Sequence, residues 1–435
     1  MKKELRLFDL PKKEVSIALK SKFKRRLFKD FLSNFNNSPA LAEKYLKTNR
    51  ANIRYWRSSG QRNNGKTKSG FTESSIPLWA LINMSKFLLT KGFKNYSQDN
   101  VEKQIKGIKH RGGKFITNPK LPICLETKEM AIITAALLGD GGIGSNKLPM
   151  YNNSELCMRK KVVNAINKSI GKVNIDPKRP YKNNAINFPK LLTVILKKGF
   201  NFKIGDKVTN NPSIPKQMLK TKNKEVIYQF LQQIFDDEGS AYIDKRKQGA
   251  ISLGLAVDVS NHNRNLIEKI KKKRLSKYAP RLLKDIKTLL EKVGLAVNGP
   301  YFKKEYLKID LDKKRPCHAW GIQLQGKRNL EKYRKNINFL IKRKRENLEK
   351  ILNNYKQIEH GTSLRDSLQR VMDLNNKGLT INIYNFMKER GCKLNYARSL
   401  LKNLKEKGFI EVKNKGKYLG WHKGYAPYEY KLVNN

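Results

Sequence analysis

The stretch ALLGDGGIG (136–144) places Gly139, Gly141 and Gly144 at the G-x-G-x-x-G spacing of a dinucleotide-binding loop. Such a loop needs a strand before its glycines and a helix after them. The preceding EMAIITAALLG (129–139) is alanine-rich and more than a strand long, so it reads as a buried helix. The following SNKLPMYNNSEL (145–156) contains Pro149 and starts no prompt helix. The glycine spacing is therefore read as accidental. The expectation is a helix from Lys128 to Leu138, ended by Gly139 and Gly141, with Asp140 at its C-terminal end. The helix dipole disfavours a carboxylate there. Something positive should face it, and a divalent metal is the natural candidate.

The same object occurs once more. VIYQFLQQIFDDEGSAY (226–242) is an apolar helix ending in Asp236, Asp237 and Glu238, then Gly239. Asp140-Gly141 aligns with Glu238-Gly239, and each copy is followed by strand-like and then helical sequence. Two such units, each with one acid at a helix end, predict pseudo-symmetry that brings two carboxylates side by side.

The repeated helix resembles the LAGLIDADG motif of homing endonucleases, with Ile133 to Gly141 and Leu231 to Gly239 on its nine positions. NNPSIPKQML (210–219) resembles the family's Ile-Pro segment, and His318 to Leu352 its closing strand and helices. The resemblance covers roughly residues 122–355. It implies an α+β fold of two αββαββα repeats whose motif helices pack along a pseudo-two-fold, each repeat offering a curved antiparallel sheet to the DNA major groove. It also implies Mg²⁺-dependent hydrolysis of DNA phosphodiesters, with Mn²⁺ as a substitute. Asp140 and Glu238 would hold the metal, beside Gly139 and Asp237. One lysine per active site is implied too, and Lys207 and Lys342 match by their place in the flanks. Hard oxygen ligands suit Mg²⁺, and such a metal neutralises phosphate and activates water. Ala135 and Gly139 are small and share one helix face, which permits a close helix partner. Their counterparts Gln233 and Asp237 are larger and polar, so that interface must be looser or hydrogen-bonded.

Composition narrows the partners. The 435 residues include 93 Lys and Arg against 36 Asp and Glu, a net charge of +57. The excess runs through every third of the chain, which points to a polyanion bound by counterion release. Cys124, Cys157, Cys317 and Cys392 form no C-x-x-C pair, which gives no signal of a zinc ribbon or disulfide framework. Five scattered histidines show no paired zinc spacing. No apolar run approaches the roughly 18 residues that span a membrane, and the early lysines precede no signal core. A reduced, intracellular, free-standing monomer is expected.

The flanks suggest further DNA-binding modules. SPALAEKYLKTNRANIRYWRSSG (38–60) reads as two short helices with Leu41, Tyr45, Leu46, Ile53 and Trp56 inward. Arg50, Asn52, Arg54 and Arg57 are left to meet DNA. The pattern resembles the Cro/repressor helix-turn-helix. KGIKHRGGKFITNPKLP (106–122) reads as a linker. The last 75 residues resemble a winged helix, with a recognition helix from Leu394 to Lys407 that presents Asn395, Arg398 and Lys402. The expected division is a helical, helix-turn-helix domain over 1–120, repeats over 121–225 and 226–357, and a winged-helix-like domain over 361–435. The expected function is site-specific cleavage of a long asymmetric site in double-stranded DNA. A DNA-binding regulator that has lost cleavage and an RNA-binding intron maturase remain as alternatives.

Overall fold

A computed structural model describes residues 3–58, 74–181, 184–243, 249–273, 275–310, 313–353, 364–390, 394–416 and 427–433. The chain is mixed α+β with several small antiparallel sheets, and contacts divide it into two units, Met1–Tyr355 and Lys356–Asn435. Among the described residues, no helix is long and apolar enough to cross a membrane.

The first 125 residues are not purely helical. They hold β1 (Glu4–Leu5), β2 (Val15–Leu19), α1 (Ser21–Ser33), α2 (Pro39–Leu46), α3 (Arg50–Arg57), β3 (Ile76–Pro77), α4 (Leu78–Thr90), α5 (Gln98–Lys103), β4 (Ile105–His110), β5 (Ile116–Thr117) and β6 (Ile123–Cys124). Strand β2 is buried along its whole length and lies inside a sheet of order β3-β2-β4-β5. The expected linker over 106–122 is thus partly sheet: Ile108 and Ile116 are buried opposite each other, an apolar pairing that outweighs the surrounding Gly and Lys. Helix α2 is turned from its expected phase. Ala42 and Leu46 are buried, while Leu41 and Tyr45 are largely exposed, Tyr45 resting its ring on Phe35 and Phe87.

Residue 120 is not a break in the chain's contacts. Leu5 pairs with Ile123 across β1 and β6, and Thr117 bridges to Lys172. Gly171, at φ +144°, lies so near Ile116 and Pro119 that a Cβ there would meet both within 3 Å. The N-terminal segment and the segments that follow share one hydrophobic core, running from Leu5 to Leu352.

Helix α6 (Lys128–Leu138) has the expected bounds. After it come β7 (Gly141–Ile143), β8 (Pro149–Asn152), α7 (Leu156–Ser169), β9 (Ala185–Asn187), α8 (Leu191–Phe200), α9 (Lys207–Asn210) and α10 (Lys216–Lys220). Three short strands pair in the order β7-β8-β9. Where a further strand was expected, the described residues between α7 and β9 make only isolated bridges. Gly171, Pro177 and Pro180 account for this, since Pro cannot donate to a ladder and Gly weakens one.

The next stretch is fuller. It runs α11 (Lys224–Glu238), β10 (Gly239–Ile243), β11 (Gly249–Asp258), α12 (Arg264–Lys273), α13 (Arg281–Lys292), β12 (Asn298–Asp310), β13 (Lys313–Gln325), α14 (Lys327–Asn336) and α15 (Lys342–Asn353). Its sheet has the order β10-β11-β13-β12. Side chains alternate between faces along a strand. Ile251, Leu253, Trp320, Ile322 and Leu324 therefore enter the core, while Gly254, Ala256, Ala319 and Gly321 share the opposite face.

The second unit contains α16 (Leu364–Asn376), β14 (Ile381–Asn382), α17 (Ile383–Arg390), α18 (Leu394–Glu406), β15 (Ile410–Asn414) and β16 (Glu429–Leu432). Its sheet order is β14-β16-β15, and Val371, Phe386, Leu401 and Leu404 lie in a core of its own. Deleting residues 356–435 should therefore leave the melting temperature of the rest unchanged. Deleting 1–120 should instead expose Ile123, Leu125 and Ile170 and yield insoluble or molten protein, as judged by near-UV circular dichroism. Equal, native-like melting of both truncations would contradict the shared core.

Candidate functional site

Helices α6 and α11 pack against each other, and the sequence around their ends sets how closely. A Cβ on Gly139 would lie 2.5 Å from Asp237 Oδ2 and 2.8 Å from its Cβ. Only glycine admits that approach. The larger residues of the second helix are accommodated by hydrogen bonds. Tyr151 donates its hydroxyl to Asp237 Oδ1 at 2.6 Å, and Gln233 donates Nε2 to both Asp237 oxygens at 3.2 Å and to the Tyr151 oxygen at 3.1 Å. Gln233 and Tyr151 are fully buried.

Beyond this contact lie the two expected acids. Asn153 donates Nδ2 to Asp140 Oδ2 at 2.8 Å and reaches Asp237 Oδ1 at 3.4 Å. Burial, then the charge of Glu238, pushes the Asp140 carboxyl up to about 6, against the pull of Asn153, Lys207 and Lys344. Burial raises Glu238 too, opposed by Lys207 and Lys344. The two acids and two lysines thus share one electrostatic neighbourhood.

The lysines occupy equivalent places. Lys207, the first residue of α9, donates to the carbonyls of Leu138 (3.1 Å) and Gly139, at the end of α6. Lys344 of α15 donates to the carbonyls of Phe235 (3.2 Å), Asp236 and Gly239 (2.6 Å), at the end of α11. The positive charge that a carboxylate at a helix C-terminus calls for is supplied by the protein itself. Burial lowers the pKa of both lysines. Sequence position had pointed to Lys342, but its side chain is 81% exposed and pairs with Glu346 one turn on. The signal that finds Lys344 is helix phase. It lies on the buried stripe of Ile341, Leu348, Ile351 and Leu352, where a lysine must have a partner.

Two clefts open beside the helix ends. One, of about 540 Å³, is lined by Glu238, Lys207 and the outer sheet face with Gly254, Ala256, Lys303 and Tyr306. The other, of about 230 Å³, is lined by Asp140, Lys344, Asn153, Glu155 and Arg343. Each cleft therefore holds one of the two expected acids, Glu238 or Asp140, together with the lysine that is bonded to the helix bearing the other.

The expected metal neighbours divide. Asp140 and Glu238 line the clefts. Asp237 also borders the Asp140 cleft, but its oxygens are taken up by Tyr151 and Gln233, and the carbonyl oxygen of Gly139 is taken up by Lys207. Among the described residues there is no group of three or more His, Cys, Asp or Glu side chains placed to hold a metal. Two carboxylates with no nitrogen or sulfur donor beside them suit Mg²⁺, which keeps most of its ligands as water and substrate phosphate. Asp236 is buried and accepts the backbone N–H groups of Leu340 and Ile341 at 3.0–3.1 Å, tying α11 to the start of α15.

Of the expected nucleic-acid contacts, Arg50, Asn52, Arg54 and Arg57 are exposed on α3, behind which Ile53 and Trp56 are buried. Arg398 and Lys402 are exposed on α18 over buried Ala397, Leu401 and Leu404. The side chain of Asn395 lies outside the described residues.

Scanned against protein-family models the chain matches none, and no curated protein matches it.

Two consequences are measurable. Gly139→Ala forces the motif helices apart, and overpacking of this kind costs about 1–3 kcal/mol. A lowered urea midpoint with an unchanged slope is expected; unaltered stability would mean that the helices are not in close contact. Asp237 supplies the second. Burial, then the charge of Asp140, raises its carboxyl from 3.8 to about 8 in the folded protein. The folded state thus holds this proton more tightly than the unfolded one. The stability it confers is complete below the unfolded value and is lost as pH rises through about 8. In metal-free buffer, the melting temperature of wild type should fall more steeply between about pH 5 and 8 than that of Asp237→Asn. Parallel curves would show that Asp237 is ionised in the fold.

Proposed function

We propose that the chain is a site-specific, divalent-metal-dependent DNA endonuclease of the two-motif LAGLIDADG type. The observation that carries this reading is the pair of clefts at the joined helix ends, each with one of the acids Asp140 and Glu238 and one lysine bonded to helix-end carbonyls. Cutting a duplex needs charge neutralisation at one phosphodiester in each strand, and two equivalent acid–lysine pairs on one chain would meet that need without a second subunit. Asp140 and Glu238 would hold Mg²⁺, which when bound neutralises phosphate and activates water. Lys207 and Lys344 would add positive charge beside the phosphoryl oxygens. Their bonds to the helix-end carbonyls fix where that charge sits.

The rest of the surface supports a DNA duplex as partner. The open sheet face offers small residues at its centre, Gly254, Ala256, Ala319 and Gly321, flanked by Lys303, Lys304, Tyr301 and Tyr306. A major groove admits a two-stranded ribbon that carries such side chains. The element order from α11 to α15 supports an αββαββα repeat, and the order of the second unit supports a winged helix. The exposed cations of α3 and α18 would extend the contact along a long asymmetric site, with much of the affinity from released counterions. The short β7-β8-β9 sheet reads little of one half-site, so recognition would lean on the second repeat and the flanking modules. That asymmetry also favours, as a second reading, a regulator that binds DNA through the same surfaces without cutting.

The test is a selection. Purified protein is incubated with a randomised duplex library and Mg²⁺, and new ends are sequenced. Both strands of a recovered site should be cut at closely spaced positions. Asp140→Asn and Glu238→Gln should each slow cutting by at least about a hundredfold, as loss of a group acting on developing charge does, and leave affinity measured in Ca²⁺ unchanged. Tight binding of one sequence with no cutting in Mg²⁺ or Mn²⁺ would sink the enzyme reading in favour of the regulator.

A further inference from the structure

Lys207 poses a mechanical problem. It begins α9, a four-residue helix none of whose residues is buried, so apolar packing does not fix it. Yet its ammonium must stay at the end of α6. The adjoining residue, Asp206, faces the opposite way. Its Oδ1 accepts from Lys308 Nζ at 2.9 Å, and its Oδ2 pairs with Arg315 Nη1 at 3.1 Å. Arg315 also donates to Thr209 Oγ1 and lies 3.6 Å from Asp258 Oδ2. Thr209 donates to Asp206 at 3.0 Å and to Asp258 at 3.3 Å.

The cluster sits on the four-stranded sheet. Lys308 of β12 and Arg315 of β13 are directly opposite each other. Like charges so placed repel, and Asp206 lies between them. Lys308 shares a strand face with Tyr306, which lines the Glu238 cleft. A continuous path therefore runs from the open sheet face through Asp206 to Lys207 and the carbonyls of Leu138 and Gly139. We propose that Asp206, clamped by Lys308 and Arg315 and braced by Thr209 and Asp258, is a positioning residue that holds Lys207 in the Glu238 cleft and fixes it to the sheet. The role of this device in cleavage rests on the nuclease reading; the placement of Lys207 does not.

Asp206 also caps α9, its Oδ1 accepting the Val208 N–H at 3.3 Å. Asp206→Asn separates the two roles, because asparagine caps as well as aspartate but cannot balance two cations. The first readout is acetylation of the full chain by an N-hydroxysuccinimide ester, followed by mass spectrometry. Lys207 in wild type should react far more slowly than exposed Lys342, and in Asp206→Asn its rate should rise severalfold toward that of Lys342. Asp206→Glu, which keeps the charge, should restore protection in part. The second readout is cleavage of the recovered site. Removing an anion from a DNA-facing sheet leaves affinity equal or tighter, whereas a misplaced lysine lowers the rate at saturating DNA by about tenfold to a hundredfold. A slower rate with undiminished binding supports the proposal. Unchanged Lys207 reactivity in Asp206→Asn overturns it, as does a rate that falls only in step with affinity. Should wild type cut nothing, the nuclease reading fails while the acetylation result still decides the position of Lys207.

Discussion

The close approach of α6 and α11 at Gly139 is the constraint on which the rest of the structure depends. It brings two helix C-termini to one place, with their outward-facing carbonyls and the two acids that follow. Carbonyl ends and carboxylates of one sign cannot be gathered without compensation. The fold meets this by sending in one lysine from each side, Lys207 from α9 and Lys344 from α15. The protein thus assembles a charged site from groups that are individually unfavourable, and burial perturbs all four. Perturbation of that kind clusters at functional sites.

The two halves reach this arrangement by different means. At the first helix, small residues simply leave room. At the second, Gln233 and Asp237 fill the space, and Tyr151 and Asn153, from β8 and the loop after it, bond to the Asp237 carboxyl group. Asp236 is recruited in the opposite direction, anchoring the start of the helix that carries Lys344. Polarity inside a helix pair makes the packing particular, because each donor fits only where an acceptor waits. The sheets diverge likewise: one has strands of ten to thirteen residues in β11, β12 and β13, while the other has strands of three or four. The two helix ends match where the charges meet, and their surroundings diverge toward the surface.

Much of this was legible from local pattern. The bounds of α6 followed from an alanine-rich apolar run stopped by glycines, and the two acids from its repetition. The sheet within residues 1–120 was not, because β2 is five residues long and buried on both faces, a pattern that periodicity cannot distinguish from a helix fragment. Nor was the phase of α2, where Ala42 rather than Leu41 enters the core and Tyr45 lies across neighbouring rings. Lys344 was hidden by its neighbours: in KRKR (342–345) charge says nothing, and only the stripe through Ile341 and Leu348 singles it out. Tyr151, Asn153 and Asp206 carried no signal, since their partners lie tens of residues away.

The lysine ambiguity follows from the composition. In a chain with 93 basic residues and 36 acidic ones, a cation has no particular partner to seek, and most cations remain solvated. The scarce anions carry the positional information. Glu102 accepts the Leu7 N–H and pairs with Arg6; Asp236 takes the N–H groups before α15; Asp206 separates Lys308 from Arg315. Asp140 shares a cleft with Lys344, and Glu238 with Lys207. Each buried acid selects one or two donors from many and so fixes an element to its neighbour. For a protein of this charge, the acids that lie inside are where architecture and chemistry meet, and the basic surface around them supplies attraction without address.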